Sequence, residues 1–178
     1  VARVSKATVA NRYLKARSEA FQATYATLRD AVPEFRLAEF TNASNVAWRT
    51  QWAPVNDRAP PEGGWDWPDV KHIFRKRPDR LEIAVFSGDR LAGMAICTLS
   101  GEAVHLQAVE ADPAAASPLA GKILLIVLQV AASYAQRTGR AEVRIVDPAD
   151  GLVRVYCDDY GFALEKPRGK KQYCYRKV

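Results

Sequence analysis

The amino-acid sequence predicts one domain of mixed α/β (α+β) class, with a mostly antiparallel central sheet flanked by helices. Three observations predict it. The hydrophobic pattern is helical up to about residue 80 and alternates with period two from Leu81 onward. Gly-containing turns, SGDR at 87–90 and SGE at 100–102, join the first three alternating runs as antiparallel neighbours. A strand then leads through a loop of small residues into a long apolar helix and out to another strand, the order that makes a parallel pair. At 178 residues, with 48% hydrophobic and 26% charged side chains, the chain is long enough to bury one sizeable core. The expected domain spans 1–178, with a helical part and a long loop in 1–80 and the sheet in 81–178.

Thr8–Ala31 places Tyr13, Leu14, Ala20, Phe21, Tyr25 and Leu28 near helical spacing, and Pro33 ends the run. Phe35–Phe40 reads as a short edge strand. Thr41–Trp52 follows as a second helix, capped by Thr41 or Asn42. Ala53–Gly64, APVNDRAPPEGG, is a loop by composition and long for a compact domain, which is common where a loop is functional. Trp48, Trp52, Trp65 and Trp67 flank it, and they either pin the loop to the core or line a substrate pocket. Trp67–Lys76 is a helix with Pro68 in its first turn. Lys71–Arg80, KHIFRKRPDR, is the densest basic patch: a solvated face, or a phosphate-engaging one through Lys71, Arg75 and Arg77.

The strands are expected at Leu81–Phe86, Leu91–Leu99 and Val104–Val109, with a turn at Glu110–Ser117. The apolar helix is expected from about Pro118 to Arg137 and ends at Gly139. Ala141–Val146 is a strand broken by Asp147–Pro148. Asp150–Asp159 is a short helix with Asp150 as N-cap, stopped by Gly161, and Phe162–Glu165 and Gln172–Arg176 close the chain as strands. A strand that runs through a loop into a helix start is a ready anion site, because the first helical N–H groups are unpaired and the dipole is positive there.

The net charge of +6 tilts the expected partner toward nucleic acid, a nucleotide or an anionic cofactor. Cys97, Cys157 and Cys174 are too few and too scattered for a disulfide framework or a zinc cluster, which points to reduced thiols, a cytoplasmic setting and no metal site. The stretch VARVSKATVANRYLK is basic but lacks the apolar core of a signal peptide. Lys122 and Gln129 argue against a membrane span at Pro118–Ala135, and a helix apolar on nearly every side is the buried central helix of a domain.

The hairpin LEIAVFSGDRLAGMAIC with its Gly88, Asp89 and Gly93, the strand VHLQAV before a loop and long helix, and the ending VYCDDYGFAL together resemble the GNAT acyltransferase superfamily. The resemblance covers roughly Leu81–Val178. It implies a GNAT-like acyl-CoA N-acyltransferase fold that uses acetyl-CoA (or another acyl-CoA) and transfers the acyl group to an amine by direct attack. Leu106, Gln107, Ala108 and Val109 would pair with the pantetheine arm and thioester. The pyrophosphate would sit on N–H groups before the long helix, at Ser117, Leu119, Ala120, Gly121 and Lys122. The family's Q/R-x-x-G-x-G/A signature is degenerate here. With Gly121 as its last small residue, Ala116 stands for Gln or Arg and Leu119 for the middle Gly; one register on, Ser117 and Ala120 fit but Lys122 takes the last place.

In the same resemblance His105 is the candidate base, with Glu102 and Glu110 as fallback carboxylates, or it is a half-buried strand histidine. The family's acid is a Tyr four before the Gly of the Gly-Phe pair. That position is Cys157, with Tyr156 its neighbour, so the acid is Tyr156, Cys157 or absent. Trp65, Trp67 and Arg75 are the candidate acceptor contacts. The basic run suggests an anionic or nucleic-acid-linked amine, and homodimerisation is left open. The alternative is a catalytically inactive GNAT-like module that binds nucleic acid or protein through its basic surface.

Overall fold

Among the described residues seven strands form one open sheet: β1 (Arg36–Ala38), β2 (Leu81–Ser87), β3 (Arg90–Ser100), β4 (Ala103–Ala111), β5 (Glu142–Val146), β6 (Ala163–Glu165) and β7 (Tyr173–Lys177). They are arranged in the order β1-β2-β3-β4-β5-β7-β6 in a computed structural model that describes residues 6–114 and 116–178. Every neighbouring pair is antiparallel except β4 and β5, which run parallel. Among the described residues five α-helices accompany the sheet: α1 (Lys6–Leu28), α2 (Asn42–Ala47), α3 (Trp67–Phe74), α4 (Ile123–Thr138) and α5 (Asp150–Asp158). The β2–β3–β4 meander and the β4–α4–β5 crossover give the mixed, mostly antiparallel α/β architecture expected from the alternation and the glycine turns.

The sheet separates two cores. On one face α1 and α4 pack over Leu81, Ile83, Val85, Cys97, Val104, Leu106, Val143 and Ile145. On the other, the turn after α2 and helix α3 bring Trp52 and Trp67 down onto Ala84, Phe86, Leu91, Met94, Ile96 and Ala108. Burying an aliphatic side chain stabilises by about 1.5–3 kcal/mol, so these two layers carry most of the fold. Among the described residues no helix is long and apolar enough to cross a membrane. The apolar α4 is instead the buried central helix, and its Tyr134 hydroxyl donates to the Asp79 carbonyl at 3.1 Å.

Local chemistry places the elements. Thr41 caps α2 in a reciprocal box with Ser44, one of the two caps expected. The chain then widens into a π-helical turn, Trp48–Trp52, which swings the fully buried Trp52 indole to donate to Leu91 O at 2.9 Å. Asp66 caps α3. Gly139, left-handed at φ +68°, ends α4 as the sequence suggests.

Several boundaries differ by a few residues from expectation, and three of them shape the site. The helix expected from Pro118 starts at Ile123, because Gly121 at φ +72° cannot continue a right-handed helix and residues 117–122 form successive turns instead. The turn expected from Glu110 begins two residues later: β4 continues to Ala111, and the Asp112 N–H still bonds Ala92 O. Ala149, not Asp150, is the N-cap of α5; the Asp150 carboxylate accepts from Gln172 Nε2 instead.

Gly93 sets where α4 begins, since a Cβ there would lie 2.5 Å from Ile123 Cγ2. Gly93→Ala is therefore expected to lower stability by about 1–3 kcal/mol through overpacking. Urea unfolding should find Gly93→Ala/Ile123→Ala less destabilised than the sum of the single variants, as required of contacting residues.

Candidate active site

The site begins with one extra residue in β4. Ile96 of β3 faces Ala108 and the next residue, Cys97, faces Leu106, so Gln107 has no partner opposite it. Such a bulge switches side-chain parity and sharpens the strand's twist. Leu106 accordingly packs into the α1/α4 core and Ala108 into the α2/α3 core, although they are two residues apart. Pairing with β5 runs from Ala103–Glu142 to Leu106–Ile145 and stops there. Beyond it the strands part. The cleft between them is lined by Leu106, Gln107, Ala108 and Val109 on one side and Val146, Asp147, Pro148 and Ala149 on the other. Asp147, at φ +48°, turns the chain away from β4 at the end of β5.

Of the two candidate acids, Tyr156 lines this cleft and Cys157 does not. Cys157 lies instead beside Cys174, whose thiol is pushed up to about 11 by burial first and by Cys157 next. Burial also pushes the Tyr156 phenol up to about 12, with Cys174 and Tyr160 adding to it, so its hydroxyl keeps its proton at neutral pH. His105 stands on the still-paired part of β4, opposite Thr98 and Arg144 and outside the cleft lining. Burial pulls its imidazole below the usual range and Arg144 and Arg77 add to that, with Glu142 opposing. Its Nε2 is buried and has no hydrogen-bond partner. The bulge also separates it from Val109, which period-two counting would place on its face.

The loop after β4 is anchored at Asp112. Its buried carboxylate takes two bonds from Arg90, at 2.7 and 2.8 Å, and one from the Ala114 N–H at 2.9 Å. Burial would raise this carboxyl; Arg90 and Ala114 more than offset that and hold it below the usual range. Ser117 is half-buried beside Asp112, while Leu119 is fully buried in the α1/α4 core and so anchors the loop by packing. Ala120, Gly121 and Lys122 are exposed. Lys122 is the N-cap of α4 and makes no side-chain cap bond, so the first N–H groups of a sixteen-residue helix are left without a capping side chain. A Cβ at Gly121 would meet nothing, which leaves open space over that helix end.

A loop wall closes the other end of the cleft. Pro61, Glu62 and Trp65 line it. The wall hangs on Glu110 of β4, whose side chain is fully buried. Its Oε1 accepts from Asn56 Nδ2, Arg58 Nη2 at 3.1 Å and Gly64 N at 2.7 Å; its Oε2 accepts from Trp65 N at 3.3 Å and Trp67 Nε1 at 2.8 Å. Five donors fill both oxygens, so Glu110 holds the loop and has no lone pair open to a substrate proton. Gly64 is required here, since its Cβ would fall 1.9 Å from Arg58 O.

Of the residues expected to contact an acceptor, Trp65 lines the cleft, Trp67 is buried in the core beneath it, and Arg75 stands at the surface with its guanidinium on His72 O. The basic run is largely engaged inside the fold. Lys71 donates to Phe40 O, Arg77 pairs with Asp79, and Arg80 pairs with Glu82. The Glu110 clamp, Glu62 and the Lys171–Asp147 pair at the rim were not marked by any motif; the one available signal was a carboxylate at 110 near the end of a mainly apolar strand.

This architecture has counterparts among solved structures. The GNAT domain of S. lividans PAT matches at 15% identity and a TM-score of 0.59, over 81% of this chain and 90% of that one. An acetyltransferase from Thermus thermophilus matches at 16% and 0.57, over 83% and 99%. Mycobacterium smegmatis RimJ, in complex with CoA-disulfide, matches at 14% and 0.57, over 82% of each chain. No family model matches the sequence, and no curated protein matches it. The chain has the GNAT acetyltransferase fold.

The His105 imidazole ties stability to pH. Its unfolded counterpart titrates at about 6.5, so below that pH the unfolded chain takes up the proton first and stability falls as pH falls. Urea unfolding at pH 7.0 and 5.5 should show a smaller acid loss for His105→Gln than for the parent chain.

Proposed function

We propose that this chain is an acyl-CoA-dependent N-acyltransferase that transfers an acetyl or related acyl group to an acceptor amine by direct attack. The observation that carries the reading is the parting of β4 from β5 after Leu106–Ile145, which leaves the backbone of residues 107–109 without a strand partner on that side. Buried N–H and C=O groups need partners, and an extended amide-bearing chain supplies them as a strand would. The uncapped start of α4, with Lys122 beside it, suits a pyrophosphate at the end of the same loop. Degeneracy of the sequence signature is no obstacle to this, because the donors are backbone N–H groups and Leu119 contributes through packing.

Acyl-CoA supplies the acyl group as an activated thioester. In this reading residues 107–109 orient the reacting end, and the 121–125 segment holds the phosphates. Tyr156 keeps a proton at its hydroxyl oxygen for the departing thiolate; burial holds that proton in place at neutral pH and makes the phenol a weaker donor. His105 stands outside the cleft lining with its Nε2 buried, so it is not assigned the base, and in this reading the amine proton passes to water at the open cleft. The competing reading is an inactive module that binds through its basic surface, and the engagement of Arg77 and Arg80 with internal carboxylates counts against it.

Calorimetric titration with acetyl-CoA and with CoA tests the reading; saturable binding is expected, and no heat at millimolar ligand overturns it. Tyr156→Phe should lower kcat by about 10²–10⁴-fold, the usual worth of a general acid, with acetyl-CoA affinity unchanged.

A further inference from the structure

The loop wall carries information about the acceptor. Of the ionisable side chains lining the cleft, Glu62, Asp147, Lys171 and Tyr156, the lysine is paired with Asp147. Glu62 has no side-chain partner among the described residues. The loop's one cation, Arg58, is turned inward, with Nη2 bonded to Glu110 and to the Ala111 carbonyl at 2.7 Å. Next to Glu62 on the wall stands the half-buried Trp65 ring, a surface that attracts cations as well as apolar groups. A phosphate-bearing acceptor would meet an uncompensated carboxylate and no free cation on this wall. A cationic one would meet a carboxylate and an indole, held in place by the backbone bonds of Gly64 and Trp65 to Glu110.

We propose that the 56–65 segment, clamped on Glu110, is a specificity wall that selects acceptors with a second positive charge near the reacting amine over phosphate-bearing ones, through Glu62 and Trp65. This rests on the acyltransferase reading and reverses the anionic acceptor suggested by the basic run. Arg58 is a positioning residue in it: it holds the wall and touches no substrate.

The test uses acetyl-CoA turnover with three probe amines, 1,4-diaminobutane, a tripeptide ending in lysine, and O-phosphoethanolamine. At least one cationic probe is expected to react with a kcat/KM about tenfold or more above the phosphate-bearing one. Glu62→Lys should erase or reverse that order while the KM for acetyl-CoA stays within about twofold. Arg58→Met should raise the KM for the cationic probe about tenfold, again with acetyl-CoA unaffected, and Arg58→Lys should recover part of it. Equal use of all probes, preference for O-phosphoethanolamine, or acetyl-CoA binding without turnover of either cationic probe overturns the proposal. So does an Arg58→Met variant that loses thermal stability with both KM values unchanged. Absence of acetyl-CoA binding instead overturns the acyltransferase reading, and the proposal with it.

Discussion

The unpaired Gln107 in β4 is the constraint on which the rest of the site depends. One residue without a partner on β3 turns Leu106 toward the α1/α4 core and Ala108 toward the α2/α3 core. Residues on both sides of the bulge, Val104 and Leu106 before it and Val109 and Ala111 after it, thereby reach the α1/α4 core, and undoing the bulge would turn one of these sets away from it. Pairing with β5 stops at Ile145 while β4 runs on to Ala111, which leaves the cleft beside the end of β4. Gly93 does the complementary work by letting Ile123 sit on β3, which sets the start of α4 just past the loop that leaves the cleft.

The buried carboxylates act as staples, two of them beside the cleft and Asp79 at the far end of β3. Asp112 takes Arg90, Asp79 takes Arg77 and the Leu99 N–H, and Glu110 takes five donors from the 56–67 segment. Burial by itself would raise the Asp79 carboxyl, but Arg77 and Leu99 hold it below the usual range. Pairs of this kind add little net stability over an apolar pair, yet losing one partner costs about 3–5 kcal/mol. Their value here is geometric. They fix two loops, one bearing the α4 helix start and one bearing Trp65, on opposite sides of the same cleft. They also account for the modest consequence of a +6 net charge: Arg58, Arg77, Arg80 and Arg90 face carboxylates of the chain itself.

The meander was legible because period-two alternation and glycine turns are local signals, and the same holds for the Thr41 cap and the Gly139 stop. The helix expected from Pro118 was misplaced by five residues, because the apolar pattern continues through Leu119, which packs into the core from a turn. The cleft strand was found through its resemblance to a family, but its parity was not. A bulge leaves no mark in composition, so counting by twos along β4 cannot show that Val109 leaves the face of His105 and Gln107 for the α1/α4 core. Between Tyr156 and Cys157 the 100° step of a helix stated the problem without resolving it; the packing of α5 turns Tyr156 to the cleft. The Glu110 clamp was the least legible feature, since its donors come from a side-chain amide, a guanidinium, two backbone N–H groups and an indole spread over a loop.

The central claim is that the gap between β4 and β5 is filled by the arm of an acyl-CoA whose phosphates rest on the start of α4. Backbone amide NMR of the isotopically labelled chain during titration with CoA reads this residue by residue. The account predicts saturable shifts at Gln107, Ala108 and Val109 together with Gly121, Lys122 and Ile123, following one binding curve. Shifts confined to other surfaces such as the basic 71–80 run, or shifts at the helix start without any on β4, would contradict it.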